Sequence, residues 1–549
     1  MPTIAELVRT RAADEHAAIV FEDRSWSYAE YVAACAERAA LLNELRRPGP
    51  FHVGVLLDNV PEFPMWLGAA AVTGAVVVGI NPTRRGAELA RDITHTDCQL
   101  IVTEDRYLPL LDGLDTGVSV DRVLVTESPA YSEGLDRHRG ATLPEVEIAD
   151  SDLYLLLFTS GTSGAPKACL CSQGRLARIG LTLSSMVELG PADVCYLAMP
   201  MFHSNALMAG WAPALAGGAT SALRRKFSAS GFLPDVRQFG VTYFNYVGKP
   251  LSYILATPEQ PDDADNPLRL VFGNEAADLD IERFSLRFGV PVIDSYGSTE
   301  GGAIVQRTPD MPAGALGRGG EGVTVLDPET GQEPPPARFD ADGRLLNPDE
   351  AIGELVNRLG AVGFEGYWNN DEANAARVHD GVYWTGDLAY RDEQGFLFFA
   401  GRDYDWLRVD GENFAAAPVE RILARHPGVV LTAVYAVPDP DVGDRVMAAL
   451  QLRPGSSFDP DGFAAFLAAQ PDLGTKWAPR FVRIAEQLPV TETSKVLKRV
   501  LRRERWEGDD PVWWRPDKDA PYRLMSTADC EALRKAFEAR GSERVLEAT

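Results

Sequence analysis

Short apolar runs alternate with longer mixed stretches along most of the chain. Val53-Gly54-Val55-Leu56-Leu57 carries no polar side chain and predicts a buried strand. Glu62 to Thr73 then predicts a helix, Ala75 to Ile80 a strand, Gly86 to Thr96 a helix, and Leu100-Ile101-Val102 another strand. Leu153-Tyr154-Leu155-Leu156-Leu157-Phe158 predicts one more buried strand. This rhythm predicts an α/β fold with largely parallel sheets, because the crossover helices cover both faces of the strands. No internal repeat is visible. Pro- and Asp-rich stretches at 257–266 and 327–350 predict surface connections.

The pattern changes near 401–405, after the strand-like Phe396-Leu397-Phe398-Phe399. Beyond it, Pro418 to Arg425 predicts a helix, and Val429 to Val437 and Met447 to Leu452 predict strands. We therefore divide the chain into a large N-terminal domain, 1–401, and a smaller α/β C-terminal domain, 402–549. The tail after 505, with Trp506, Trp513 and Trp514, is expected to pack back on the body.

The apolar run 153–158 leads into Thr159-Ser160-Gly161-Thr162-Ser163-Gly164-Ala165-Pro166-Lys167. A strand that ends in such a loop suits a polyphosphate. The glycines let backbone N–H groups approach the oxygens, the hydroxyls donate further bonds, and the lysine adds charge. Composition alone would also allow an ordinary turn. It is not a Walker loop, because the Gly-Lys-Ser/Thr ending is absent.

Composition narrows the picture. With 549 residues, 45% apolar and 24% charged, the chain suits a globular protein of more than one domain. A net charge of −26 makes nucleic acid an unsuitable partner, so an anionic substrate must be met by local cations and backbone donors. The six cysteines show no zinc spacing and are read as reduced thiols of a cytoplasmic protein; Cys169 and Cys171 fit one face of a strand. Met65 to Ile80 is apolar but short against the ~20 residues of a membrane span, and reads as a buried helix and strand. No integral membrane segment is expected, though peripheral membrane contact and a homodimer stay open. The start, Met1-Pro2-Thr3-Ile4, lacks a signal-peptide pattern.

Four further segments fit the loop's chemistry, in order: Tyr296-Gly297-Ser298-Thr299-Glu300; Tyr383-Trp384-Thr385-Gly386-Asp387; Gly401-Arg402-Asp403-Tyr404-Asp405 running on to Gly411-Glu412-Asn413; and Leu488-Pro489-Val490-Thr491-Glu492-Thr493-Ser494-Lys495. Together they resemble the adenylate-forming superfamily of acyl-CoA synthetases, luciferases and peptide-synthetase adenylation domains, over roughly residues 20–505. Val409-Asp410-Gly411-Glu412-Asn413 and Arg225-Lys226-Phe227-Ser228-Ala229-Ser230 resemble the fatty acid transport protein and very-long-chain acyl-CoA synthetase branch.

The resemblance implies a large N-terminal domain, a smaller mobile C-terminal domain, and the substrates ATP and coenzyme A with magnesium. It implies that Thr159, Ser160, Gly161, Thr162, Ser163, Gly164 and Lys167 hold the β- and γ-phosphates. Thr299 would touch the α-phosphate and Glu300 would ligate magnesium. Tyr296 would stack on adenine, with Gly297, Asn274 and Glu275 completing the nucleotide site. Asp387 would accept the ribose hydroxyls, with Arg402 near the same sugar. Lys495 would bridge the acyl carboxylate and α-phosphate, although Ser494 stands where the family has glycine. Gly411, Glu412 and Asn413 would line the pantetheine tunnel. The hinge would fall at Tyr404 or Asp405. His203, in Pro200-Met201-Phe202-His203, would gate the acyl site or sense its charge, or serve only the structure.

The branch implies an apolar acid: a long fatty acid or a sterol side-chain acid. Tyr243 to Gly248, Gly273-Asn274-Glu275 and Gly301-Gly302 are the expected walls, with the small residues at 301 and 302 leaving room for a chain. Arg224-Arg225-Lys226 would either meet CoA phosphates or be a solvated run. The expected activity is acid–thiol ligation through an acyl adenylate. Two alternatives are a fatty-acyl-AMP ligase loading a carrier protein and a catalytically silent lipid-binding or uptake protein.

Overall fold

In the computed structural model, residues 2–159, 167–340, 345–402, 406–409, 412–439, 443–470, 473–474, 476–491, 496–517 and 520–539 are described. Among them the strands form three sheets. The first runs Val123–Val125, Cys98–Thr103, His52–Leu56, Val76–Gly79, Leu153–Phe158, Ala168–Ser172; all pairs are parallel except the last. His52–Leu56 is buried at every position, as befits a parallel strand covered on both faces.

The second sheet has a parallel half ordered Ala17–Phe21, Thr220–Leu223, Val194–Leu197, Tyr243–Val247, Leu270–Asn274, Val292–Tyr296. It continues antiparallel through Val305–Gln306, Gly317–Gly319, Phe396–Arg402, Val382–Arg391, Gly353–Asn357 and Val323–Leu326. The third sheet is smaller and mixed. It holds Trp406–Val409, Glu412–Ala415, Val429–Asp439, Gly443–Leu452 and Phe481–Ala485, and the tail adds Val512–Trp514 and Arg523–Leu524 at its edge. The architecture is thus α/β, a large N-terminal part and a smaller C-terminal one.

Helix Glu62–Thr73 lies in the main core, where Phe63, Trp66 and Leu67 pack with Val53, Val55, Leu197 and Met199. Its burial explains the long apolar stretch that follows Met65. Among the described residues no helix is long and apolar enough to cross a membrane. The tail packs back as expected: Trp506 and Trp514 stack on Phe481. Cys35, Cys98, Cys169, Cys171 and Cys195 are buried free thiols, and Cys530 is half-buried.

Candidate active site

The carboxyl ends of the parallel strands carry Asn274, Tyr296 and the segments that lead to Lys167 and Glu300, the position where open α/β sheets bind ligands, while Asp387 comes from the antiparallel extension. Strand Leu153–Phe158 turns and returns antiparallel as Ala168–Ser172, with the Thr159 N–H donating to Lys167 O at 3.0 Å. Ser160, Gly161, Thr162, Ser163 and Gly164 lie outside the described residues. Lys167 is half-buried, with its ammonium 5.9 Å from the Tyr367 ring centroid. Burial and the neighbouring Arg377 lower its pKa, against an opposing pull from Glu300.

Tyr367 reaches this place because the segment around it pairs with the returning strand: Cys169 bridges Tyr367, and the Leu170 N–H donates to Gly366 O at 2.9 Å. Its hydroxyl donates to Glu300 Oε1 at 2.8 Å and accepts from Arg377 Nε at 3.2 Å. Glu300 is only 8% exposed. The Ser204 and Thr299 hydroxyls are 2.7 Å apart, tying the segment after His203 to the 296–300 motif. Thus Lys167, Thr299 and Glu300 share one neighbourhood.

Strand Val292–Tyr296 delivers Tyr296, whose hydroxyl donates to Asp387 Oδ2 at 2.5 Å. Asp387 is 7% exposed and pairs with Arg402 across the antiparallel ladder. Asn274 donates to Ser295 O at 2.6 Å, and Glu275 follows it with a φ of 72°, a costly conformation for a non-glycine residue. Gly297 is exposed at the strand end. His203 is half-buried, and its Nδ1 accepts the Asn205 N–H at 3.4 Å. The side chains of Arg402, Glu412 and Asn413, and all of Asp403, Tyr404, Asp405, Gly411 and Lys495, lie outside the described residues.

Sequence reasoning missed three contributors. Tyr367 and Arg377 surround Glu300, and the only signal was an aromatic pair, Tyr367-Trp368, behind Gly366. Asn59, 2% exposed, fastens the path toward His203. Its Nδ2 donates to Leu197 O at 3.3 Å and Met199 O at 2.8 Å, and its Oδ1 accepts the Met201 N–H at 2.9 Å.

Two expectations are corrected. Gly301 and Gly302 do not leave room for a chain: a Cβ on Gly302 would lie 2.3 Å from the Tyr383 ring, and one on Gly301 2.7 Å from Arg175 Nη2. Tyr243 to Tyr246 are likewise fully buried in the protein core. The basic run is neither a free phosphate site nor simply solvated. Arg224 pairs with Asp235, Arg225 with Glu104 and Asp58, and Lys226 lies 3.9 Å from Asp58.

The family described as "AMP-binding enzyme" matches residues 8–368, and its C-terminal domain matches 418–495. The chain belongs to the AMP-binding enzyme family. This AMP-binding enzyme is 53% identical over 547 residues to steroid-22-oyl-CoA synthetase of Rhodococcus jostii, covering 99% of both chains. It is 52% identical over 513 residues to the medium/long-chain-fatty-acid–CoA ligase FadD17 of Mycobacterium marinum, covering 93% of this chain and 98% of that one. Among solved structures it resembles ATP-bound MatB of Rhodopseudomonas palustris, with a TM-score of 0.76 and 25% identity, covering 92% of this chain and 99% of that one.

Proposed function

We propose that this AMP-binding enzyme ligates an apolar carboxylic acid, of the steroid side-chain or medium- to long-chain fatty class, to coenzyme A through an acyl adenylate. The observation that carries this reading is near-complete coverage of two acyl-CoA ligases at 53% and 52% identity. The contact of both Lys167 and Glu300 with Tyr367, and the separate Tyr296–Asp387 hydrogen bond, support it.

In the first step a carboxylate oxygen bonds to the α-phosphorus of ATP and the bond to pyrophosphate breaks. Charge neutralisation and in-line placement are what the protein must supply. Lys167, with Thr159, Ser160, Gly161, Thr162, Ser163 and Gly164, meets the β- and γ-phosphates. Thr299 meets the α-phosphate. Asn274, Glu275, Tyr296 and Gly297 hold adenine; Asp387 and Arg402 hold the ribose. His203 faces the acid, and Lys495 bridges it to the α-phosphate. In the second step the CoA sulfur bonds to the acyl carbon and AMP leaves, with Gly411, Glu412 and Asn413 along the pantetheine path.

Magnesium suits Glu300, a buried carboxylate next in sequence to Thr299, whose hydroxyl meets that of Ser204. Such an ion prefers hard oxygen donors and takes others from phosphate and water. Bound there, it would neutralise polyphosphate charge. We divide the enzyme at 401/402, where strand Phe396–Arg402 ends one sheet and Trp406–Val409 begins the next. Six free thiols support a reducing, cytoplasmic setting.

The test is AMP release with magnesium, ATP and CoA across short, medium and long fatty acids, aromatic acids and steroid side-chain acids. CoA-dependent release with one apolar class is the expected result. Adenylate formation indifferent to CoA would indicate a carrier-protein acceptor. Fatty-acid binding with no ATP–pyrophosphate exchange would overturn the ligase reading.

A further inference from the structure

We infer that Arg175 is a positioning residue for adenylate formation, gripping the main chain of the Thr299–Gly301 turn and holding it against the strand that leaves Lys167. The inference rests on the ligase reading above.

Arg175 lies in the first turn of helix Gln173–Met186, whose start is capped when the Arg175 N–H donates to Ser172 Oγ at 3.1 Å. Its side chain turns back into the protein and is 3% exposed. Nη1 donates to Leu170 O at 2.9 Å, on strand Ala168–Ser172. Nη2 donates to Thr299 O at 2.6 Å. One planar group therefore ties the main chain of Leu170 to that of Thr299, which stands 124 residues beyond Arg175 in the chain. Cys169 Sγ lies 3.7 Å from the same Thr299 oxygen and 4.0 Å from Nη1, filling the remaining space.

Burying a guanidinium this way is a poor route to stability. Its hydrogen-bond partners are neutral carbonyls and a thiol, and the Glu365 carboxylate, which is held by Ser172, acts on it through charge with no direct bond between them among the described residues. A buried charge is costly to desolvate, and a well-packed apolar side chain commonly does as well or better. A fixed fork that reaches two carbonyls at once gives geometry instead.

Gly301 is matched to that fork. It has a φ of +71°, and a Cβ there would lie 2.7 Å from Nη2. The turn is thus held on three sides: its main chain by Arg175, the Thr299 hydroxyl by Ser204, and the Glu300 carboxylate by Tyr367. Of these three, only the Arg175 contact sets the height of the main chain above strand Ala168–Ser172. Thr299 and Lys167 meet neighbouring phosphates of one nucleotide, so that height decides whether both reach it together.

The experiment compares the full-length wild type with Arg175→Lys, which keeps charge and most of the length but loses the fork, and with Arg175→Met. ATP–pyrophosphate exchange, thioester formation from supplied acyl adenylate and CoA, and ATP affinity by calorimetry are each measured, with circular dichroism confirming the fold. In Arg175→Lys the exchange kcat is expected to fall roughly ten- to a hundredfold, the scale of a small misplacement of reacting groups. ATP affinity and thioester formation should stay near wild type, and Arg175→Met should lose more exchange than Arg175→Lys. Equal loss in both half-reactions would reduce Arg175 to a fold-supporting residue and overturn the inference. Wild-type exchange in both variants would overturn it as well. Absence of exchange in the wild type would instead sink the ligase reading, and the inference with it.

Discussion

Tyr296 and Asp387 share a 2.5 Å hydrogen bond although they stand 91 residues apart. The first ends a parallel strand and the second sits within an antiparallel one. The residue assigned to adenine thereby orients the carboxylate assigned to ribose. Replacing Tyr296 by Phe keeps the ring and removes this bond together with the hydroxyl's contact with Thr385. A hydrogen bond to a charged group contributes about 1.5–3 kcal/mol, so Tyr296→Phe should weaken ATP binding roughly tenfold or more. Titration calorimetry with ATP measures it; an unchanged Kd would show that Asp387 is oriented by its other neighbours.

Lys495→Ala should abolish ATP–pyrophosphate exchange while largely sparing thioester formation from supplied acyl adenylate. Equal loss of both half-reactions would remove Lys495 from its assigned role. Glu300→Gln, by contrast, should weaken magnesium-dependent turnover by altering a donor at the nucleotide, and its magnesium titration would show a rightward shift. Unchanged activity and an unchanged titration would take Glu300 out of the site.

Gly302→Ala tests whether the space at 302 belongs to substrate or to protein. A methyl group there would press on the Tyr383 ring, which is itself buried. Overpacking of this kind costs about 1–3 kcal/mol, so the variant should melt lower than wild type even without substrate. A variant of wild-type stability with an altered acid preference would restore Gly302 to the acyl pocket.

Asp294 gives the fold a pH dependence. Burial pushes its carboxyl up to about 6, above the ordinary 3.8. Tyr246 donates to Oδ2 at 2.6 Å, and the Ala276 N–H reaches the same oxygen at 3.1 Å. These two donors and Arg307, 3.9 Å from Oδ1, favour the carboxylate, but burial outweighs them, so the folded chain holds this proton more tightly than the unfolded one. Stability should fall as pH rises from about 4 to about 6 and then level off. Asp294→Asn can accept both bonds on its amide oxygen and does not ionise. Relative to wild type it should gain on the order of 2–3 kcal/mol across that window, read from urea unfolding at acid and neutral pH. A constant difference would mean that the carboxylate stays ionised in the fold.

Sequence patterning located helix Glu62–Thr73 and strand Leu153–Phe158 to the residue. Both are dominated by apolar side chains, and burial enforces their ends. The antiparallel extension was illegible for the opposite reason. Val305–Gln306 and Gly317–Gly319 are two and three residues long, and their partners rather than their own pattern make them strands. The site divides similarly. Lys167, Glu300 and Asp387 announce their chemistry by residue type and neighbours. Arg175, Tyr367 and Asn59 act through partners distant in the chain, which spacing does not record. Gly301 and Gly302 were legible as small, but not as small for the sake of Arg175 and Tyr383.

The clamp made by Asn59 has a consequence for the segment it holds. It holds Leu197, Met199 and Met201 by two carbonyls and one N–H, never by their side chains. Any non-proline residue presents the same main-chain atoms, so this grip does not depend on what the segment displays. Point substitutions there leave the main-chain grip in place, and their cost falls on the packing of Leu197, Met199 and Met201 in the main core. The course of the chain into His203 is thus written in Asn59 rather than in the residues it holds.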